Sequence, residues 1–162
     1  MSSIFHRNVL IVGYGQDGKT LHEKSQKKGK KIYIIVKNKK KISNVNTTVK
    51  VLNIENIKDF FNFLKDKKNL DIYFFATHNI SSTQKENKDL FFKNFSSNVI
   101  GLTNFLDFMK KNKNKNFKLF YASSSYIFEN KKYYPQDEKS IKLFKSNYAL
   151  IKYLGLKICE SY

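Results

Sequence analysis

The chain has one cysteine, Cys159, one proline, Pro135, one arginine, Arg7, and no tryptophan. A single thiol cannot build an intramolecular disulfide framework and fits a reducing compartment. No Pro/Gly/Ser-rich stretch marks a linker, and 162 residues suit one domain with its own core. Long apolar runs are missing too, since nothing approaches the roughly 18 residues of a spanning helix. The N-terminal MSSIFHRNVLIVG lacks a proper basic leader region, and its apolar run stops at Gly13. These absences lead to the expectation of a cytoplasmic protein with no membrane partner. Histidine is sparse as well. His6, His22 and His78 are dispersed and only one cysteine accompanies them, so no metal-ligand spacing exists and all three are expected at surface or loop positions.

The scarcity of arginine decides how the charge is read. Lys and Arg number 31 against 13 Asp and Glu, a net charge of +18, which is the balance of many nucleic-acid binders. All but Arg7 are lysine, however, whereas arginine usually supplies bidentate base and phosphate recognition. Abundant Lys, Asn, Ile, Phe and Tyr beside scarce Ala, Pro and Arg is what an AT-rich genome encodes, whatever the protein does. The lysines are spread along the chain, with local runs at 37–41 and 110–118. A solvated surface is therefore expected rather than a nucleic-acid footprint.

What is present is a core-forming pattern. Hydrophobic content of 41%, with 15 Phe and 10 Tyr, belongs to a globular protein. NVLIV (8–12) predicts a buried strand ending at a glycine turn, and DGKTLHEKSQKKG (17–29) a helix closed by Gly29. KIYIIV (31–36) and TTVKVL (47–52) predict the second and third strands. NIKDFFNFLKDKK (56–68) predicts a helix with Phe60, Phe63 and Leu64 at helical spacing. LDIYFFA (70–76) is the fourth strand. A long helix over 83–111 then aligns Leu90, Phe91, Phe95, Val99, Leu102, Phe105, Leu106 and Met109. FKLFYA (117–122) is the fifth strand, and a last helix over 146–160 carries Tyr148, Ile151, Leu154 and Ile158. The Phe-rich faces at 60–64 and 91–108 read as core. Near-continuous apolar strands alternating with helices indicate a parallel sheet covered on both faces. The expected fold is a Rossmann-type doubly wound α/β domain, strand order 3-2-1-4-5.

Residues 13–20, GYGQDGKT, fit two phosphate-binding patterns at once. Gly13, Gly15 and Gly18 make G-x-G-x-x-G, the dinucleotide turn; Gly13, Gly18, Lys19 and Thr20 make a Walker A loop. A Walker A loop needs an acidic residue at the end of a hydrophobic strand. The candidate strands end YIIVKN, IYFFATH and LFYASSS, and Asp71 sits at the wrong end of its own. The dinucleotide turn is preferred, with Lys19 and Thr20 as a polar first helical turn and a P-loop nucleotidase as a remaining alternative. After the second strand come Lys37, Asn38 and Lys39 with no carboxylate, which favours the 2′-phosphate of NADP over NAD and makes Lys37 its expected contact.

The last third carries the acid–base chemistry. Tyr148-Ala-Leu-Ile-Lys152 is Y-x-x-x-K, which puts both side chains on one helical face. A phenol with a pKa of about 10 is a poor base near neutrality, and an ammonium one turn away is expected to lower it. Ser123, Ser124 and Ser125 follow the fifth strand at the edge where such sheets bind ligands. In the loop beyond, Tyr133 and Tyr134 serve loop packing, with a substrate-edge role as the lesser reading.

A glycine turn after strand one, a serine run after strand five and Y-x-x-x-K in the next helix form an ordered set. It resembles the extended short-chain dehydrogenase/reductases, the NAD(P)-dependent nucleotide-sugar epimerases and dehydratases. Asn98-Val-Ile-Gly101-Leu-Thr-Asn104-Phe-Leu106 is similar to the family's N-V-x-G-T-x-N-L-L helix. Asn53-Ile54 falls where the family places an Asp-hydrophobic pair beside the adenine, and Ala76-Thr77 where the fourth strand meets the pyrophosphate. The GDP-mannose 4,6-dehydratase branch is the nearest likeness. Its turn contains G-Q-D-G, as do Gly15-Gln16-Asp17-Gly18, and its A-S-T-S-E-L-Y-G matches Ala122 to Glu129 in register. Pro135 to Lys139 and Ser146 to Ala149 resemble the loop and helix that follow.

That resemblance implies Ser124 as the catalytic hydroxyl, Tyr148 as the acid–base, and Lys152 as the group that tunes Tyr148 and holds the nicotinamide ribose. It implies cofactor contacts at Gly13, Gly15, Gln16, Asp17, Gly18, Lys37, Asn53, Ile54, Ala76 and Thr77, and puts Ser125 and Tyr126 at the substrate edge. The expected cofactor is NADP, with NAD as the alternative; the expected substrate is a nucleotide-sugar such as GDP-mannose. Three departures accompany it. The turn is one residue shorter than the family's T-G-x-x-G-x-x-G. Tyr126 replaces the Glu that abstracts a proton during dehydration. The chain reaches Tyr162 without the family's C-terminal substrate domain, so a homo-oligomer or a completing chain is left open, as is a catalytically silent dinucleotide-binding module.

Overall fold

The computed structural model describes residues 7–38, 42, 47–78, 87–128 and 135–162. His6, Lys39 to Lys41, the first residues of the expected long helix, Glu129, Tyr133 and Tyr134 lie outside the described residues.

Five parallel strands form one sheet: β1 (Asn8–Val12), β2 (Ile32–Val36), β3 (Thr48–Val51), β4 (Leu70–Phe74) and β5 (Lys118–Tyr121). Their spatial order is β3-β2-β1-β4-β5, the doubly wound arrangement expected. The apolar run NVLIV is needed because β1 is central: Val9 to Val12 are buried, paired on one side to β2 (Leu10 opposite Tyr33) and on the other to β4 (Leu10 opposite Ile72). The edge strands β3 and β5 are shorter and largely exposed, which matches their content of Lys50 and Lys118.

One side of the sheet is covered by α2 (Ile57–Leu64), α4 (Leu102–Lys111) and α5 (Asn147–Ser161). Phe60 and Leu64 meet Leu102, Phe105 and Phe108 over Leu10, Ile72 and Phe74, all buried, and the Phe60 and Phe105 rings lie 4.1 Å apart. The other side packs α1 (Gln16–Lys27) through Leu21 onto Val9, Ile11, Ile32 and Ile34. On that side, beyond α1, Tyr73, Phe75 and Phe120 form an aromatic cluster, with Phe120 54% exposed.

The helix expected over 83–111 is found as α3 (Lys88–Phe95) and α4, joined by a π-helical turn at Ser96–Gly101. Such a turn accommodates one extra residue in a helix and often marks a functional position. Here it ends at Gly101, where a Cβ would stand 2.7 Å from Ile54 Cδ1. His22 departs from expectation: it is 4% exposed, its Nδ1 2.9 Å from Tyr14 Oη and its Nε2 2.9 Å from Thr47 Oγ1. The sole arginine closes the opposite end of the sheet, pairing with Asp71 and donating to the carbonyls of Leu70 and Asn116.

Gly13 ends β1 with φ +92°, and a Cβ there would lie 2.8 Å from both the nitrogen and the Cα of Ala76. Both the torsion and the contact exclude a side chain. Gly13→Ala is expected to lose about 2–4 kcal/mol in urea unfolding. Gly29→Ala, at φ +65° in open space, loses about 1 kcal/mol.

Candidate active site

The C-terminal ends of β1, β4 and β5 lie side by side along one edge of the parallel sheet, where folds of this kind bind ligands. The turn after β1 is only Gly13 to Gly15, because α1 begins at Gln16. Gly18 seats the helix against the turn: a Cβ there would meet the Gly13 carbonyl at 2.6 Å. A Cβ on Gly15 would meet nothing within 4 Å, so open space stands over the turn. The helices α2, α3 and α5 are capped by Asn56, Asn87 and Ser146, whereas α1 has Gly15 at this position and no side-chain cap. Uncapped N–H groups at a helix start, with open space before them, fit the pyrophosphate of a dinucleotide. Gln16 and Asp17 are exposed in that first turn. Lys19 and Thr20 lie exposed along α1, and Thr20 Oγ1 donates to the Gln16 carbonyl. A three-residue turn leaves no loop to wrap a triphosphate, and Asp71 is engaged by Arg7 at the far end of β4.

Along the same edge stand the serine run and α5. Ser124 begins a short 3₁₀ turn, its Oγ accepting from the Tyr126 N–H at 3.2 Å, and leaves Ser125 and Tyr126 exposed. Among the described residues Ser123 Oγ, buried at the strand end, has no hydrogen-bond partner. Ser146 caps α5 by accepting from the Ala149 N–H, which sets Tyr148 in the first turn and Lys152 one turn later. Lys152 is 2% exposed. Its Nζ donates to the Ala122 carbonyl at 2.8 Å and to Asn98 Oδ1 at 3.0 Å, and sits 5.0 Å from the Tyr121 ring centre.

Asn98 is the hub of this side. It is fully buried in the π-helical turn. Its Oδ1 also accepts from Tyr121 Oη at 3.2 Å, and its Nδ2 donates to the Asn94 carbonyl at 3.1 Å and to Thr77 Oγ1 at 3.5 Å. Asn94 fixes the segment after β4: its Oδ1 accepts from Thr77 Oγ1 and the His78 N–H, and its Nδ2 donates to the His78 carbonyl. Neither Asn98 nor Asn94 is in the set of expected site residues. The signal available in the sequence is a polar residue within an apolar helical face, inside the Asn98-Val-Ile-Gly101 motif.

The electrostatics run against the expected lowering of the Tyr148 pKa. The Tyr148 pKa lies above, not below, that of a free phenol. Burial is the main cause; the Thr77 and Ser124 side chains pull it down, while Tyr126 and Asp17 raise it further. Lys152 Nζ is 5.9 Å from the Tyr148 ring centre and is spent on Asn98 and Ala122. Its own pKa falls to about 8 through burial. Side chains from the glycine turn, the end of β4 and the serine turn thus all contribute to the direction of the Tyr148 shift. The Tyr126 ring stands edge-on to it at 6.3 Å.

Asn53, Ile54 and Lys37 lie apart from this group, at the ends of β3 and β2. Asn104 Nδ2 donates to the Ile54 carbonyl at 2.9 Å and holds this loop against α4. Asn53 Nδ2 donates to Glu55 Oε2 at 3.2 Å, and Lys37 Nζ lies 3.5 Å from Glu55 Oε1. The basic residue expected to contact a 2′-phosphate is thus paired with a carboxylate. Among the described residues no helix is long and apolar enough to cross a membrane, and no group of His, Cys, Asp and Glu could hold a metal.

The family model described as the NAD dependent epimerase/dehydratase family matches residues 9–162. A UDP-glucose-4-epimerase from Stenotrophomonas maltophila, solved with bound NAD and formylated UDP-arabinopyranose, is similar in structure. It has a TM-score of 0.80 and 17% identity over 96% of this chain and 48% of that one. A UDP-N-acetylglucosamine 4-epimerase from Bacillus cereus has a TM-score of 0.73 and 18% identity over 96% and 55%. A monomeric L-threonine 3-dehydrogenase of metagenomic origin has a TM-score of 0.71 and 26% identity over 95% and 48%. The chain spans about half the length of these solved relatives. No curated protein matches it significantly.

The buried lysine yields a pH test. Between about pH 8 and 10.5 the unfolded chain holds more protons on Lys152 than the folded one, so folding gains stability as pH rises through that window. Cys159, pushed up to about 11 by burial, acts in the opposite sense above pH 9. Relative to Lys152→Met, the wild type is expected to gain about 1 kcal/mol between pH 7 and pH 9. Urea unfolding of both proteins at the two pH values checks it; a constant difference contradicts the depressed lysine pKa.

Proposed function

The chain belongs to the NAD dependent epimerase/dehydratase family, and from that premise we propose that it oxidises and reduces a carbon of a nucleotide-sugar through a nicotinamide dinucleotide. One observation carries this: Tyr148 and Lys152 stand one turn apart on α5, Lys152 bonded to Asn98 and to Ala122 at the end of β5 and Tyr148 edge-on to Tyr126 of the serine turn, on the same sheet edge as the open Gly15 turn. The residues present fit the cofactor. Gly13, Gly15, Gln16, Asp17 and Gly18 would cradle its pyrophosphate with Ala76 and Thr77 beside them. Asn53, Ile54 and the Lys37–Glu55 pair would meet its adenosine end. Lys152 and the buried Ser123 hydroxyl would meet its nicotinamide end. When bound, the oxidised nicotinamide supplies a hydride acceptor and a positive charge.

The chain's own residues handle the proton. Ser124 donates to the substrate oxygen and orients it toward Tyr148. Tyr148 holds its proton in the ligand-free molecule, because burial raises its pKa. Tyr148 would first release that proton to solvent, which a positive charge beside it would favour, and the phenolate would then take the substrate hydroxyl proton while the carbon's hydride passes to the acceptor the bound cofactor would supply. The reverse transfer returns both. Lys152 is confined by Asn98 and Ala122 at the same sheet edge. Tyr126 is 68% exposed and carries no carboxylate, so water elimination is not proposed. GDP-mannose remains the first substrate to try, on the strength of Gly15-Gln16-Asp17-Gly18. The solved relatives named for UDP-sugars and L-threonine supply the comparison substrates.

Reduced-dinucleotide fluorescence during incubation with GDP-mannose, UDP-sugars and L-threonine tests the proposal. Turnover of a nucleotide-sugar is expected, and Tyr148→Phe should lower it about a hundredfold or more with little change in cofactor affinity. Cofactor binding without turnover of any substrate would instead support a silent dinucleotide-binding module. Gly15→Ala should unfold within about 0.5 kcal/mol of the wild type, since its Cβ enters open space, yet bind the dinucleotide more weakly.

A further inference from the structure

Resting on that dinucleotide reading, we infer that Glu55 selects the adenosine ribose and that the Lys37–Glu55 pair makes this a site for NAD rather than NADP. The carboxylate missing after β2 is delivered from the end of β3. The two strands are adjacent and parallel, with Val36 opposite Val51, so the segments that follow them share one corner of the sheet edge. Lys37 directly follows β2, and Asn53 to Glu55 follow β3. The Glu55 carboxylate is held on both oxygens, by Lys37 Nζ at 3.5 Å and by Asn53 Nδ2 at 3.2 Å. Its backbone is held as well: the Glu55 N–H donates to Asn53 Oδ1, and its carbonyl accepts from Asn104 Nδ2. The Glu55 side chain is 20% exposed, whereas that of Lys37 is 59% exposed. The carboxylate is therefore the fixed partner and the lysine the loose one.

This arrangement discriminates by charge. Ribose hydroxyls can donate to a carboxylate that keeps its lysine, which is the established way an acidic residue favours NAD. A 2′-phosphate would bring nearly two negative charges against the same carboxylate and would have to draw Lys37 away from it. Lysine after β2, taken alone, points to NADP; paired with Glu55, it neutralises and positions the group that excludes it.

NADH and NADPH titrations of the intact chain, followed by nicotinamide fluorescence, test this without requiring turnover. The wild type is expected to bind NADH at least about tenfold tighter than NADPH, and Glu55→Gln to erode that preference by about tenfold as Lys37 is released, since a good charged contact contributes on that scale. Lys37→Ala should keep the preference for NADH. If Glu55→Gln melts below the assay temperature, Lys37→Glu replaces it and should deepen the preference. Equal or tighter NADPH binding by the wild type overturns the inference alone. So does an unchanged preference in folded Glu55→Gln, its loss in Lys37→Ala, or a shallower one in Lys37→Glu. Binding of neither dinucleotide by the folded wild type overturns the dinucleotide reading itself, and this inference with it.

Discussion

A buried lysine ammonium, with no carboxylate partner among the described residues, is the constraint around which the half of the sheet edge that carries Tyr148 is arranged. Burying such a charge costs several kcal/mol unless hydrogen bonds replace its water. Here the replacements are an amide oxygen from Asn98 and a backbone carbonyl from Ala122, with the face of Tyr121 beside them. Each must be brought from a different element: Asn98 from the π-helical turn, Ala122 from the end of β5, Lys152 from α5. Gly155 completes the fit, because a Cβ there would stand 2.3 Å from Tyr121 Oη. Satisfying one cation thus fixes how α5 lies on β5 and on the helix opposite. Tyr148 comes with it, one turn earlier on the same face.

The other half depends on close backbone approach rather than on charge. Gly13 lets the turn after β1 touch the segment after β4, and Gly18 lets α1 touch the turn. Those contacts pull the helix start and Thr77 to the sheet edge that holds Tyr148. Asn98 joins the halves, since it bonds to Thr77 on one side and to Lys152 on the other. The amide is a suitable joint because it offers a donor and an acceptor at once.

Most of the architecture was legible in the residues because it rests on local patterns. Uninterrupted apolar runs marked the buried strands, and the glycine spacing marked the turn that sets Gly13 and Gly18. The serine run and Y-x-x-x-K marked two segments, Ser123 to Ser125 and Tyr148 to Lys152, that fall on one edge of the sheet. What was not legible depends on contacts far apart in the chain. Asn98 lies 54 residues before Lys152, and only the π-helical turn aims it inward. The direction of the Tyr148 shift follows from burial, which no spacing reveals. Lys37 looked like a free cation because its partner, Glu55, follows a different strand. His22 looked like a surface residue because Tyr14 and Thr47 reach it from outside its own helix.

In the function proposed, the C-terminal edge of the sheet, with Gly13 to Gly18, Thr77, Ser124 and Tyr148 along it, takes up a nicotinamide dinucleotide. Amide chemical-shift mapping of the isotope-labelled protein during titration with NAD tests it most directly. Saturable shifts confined to Gly13 to Gly18, Asn53 to Glu55, Ala76 to His78 and the residues around Ser124 and Tyr148 are the predicted result. Shifts centred elsewhere, such as on the exposed Tyr73–Phe75–Phe120 face, or no shifts at all, would contradict it.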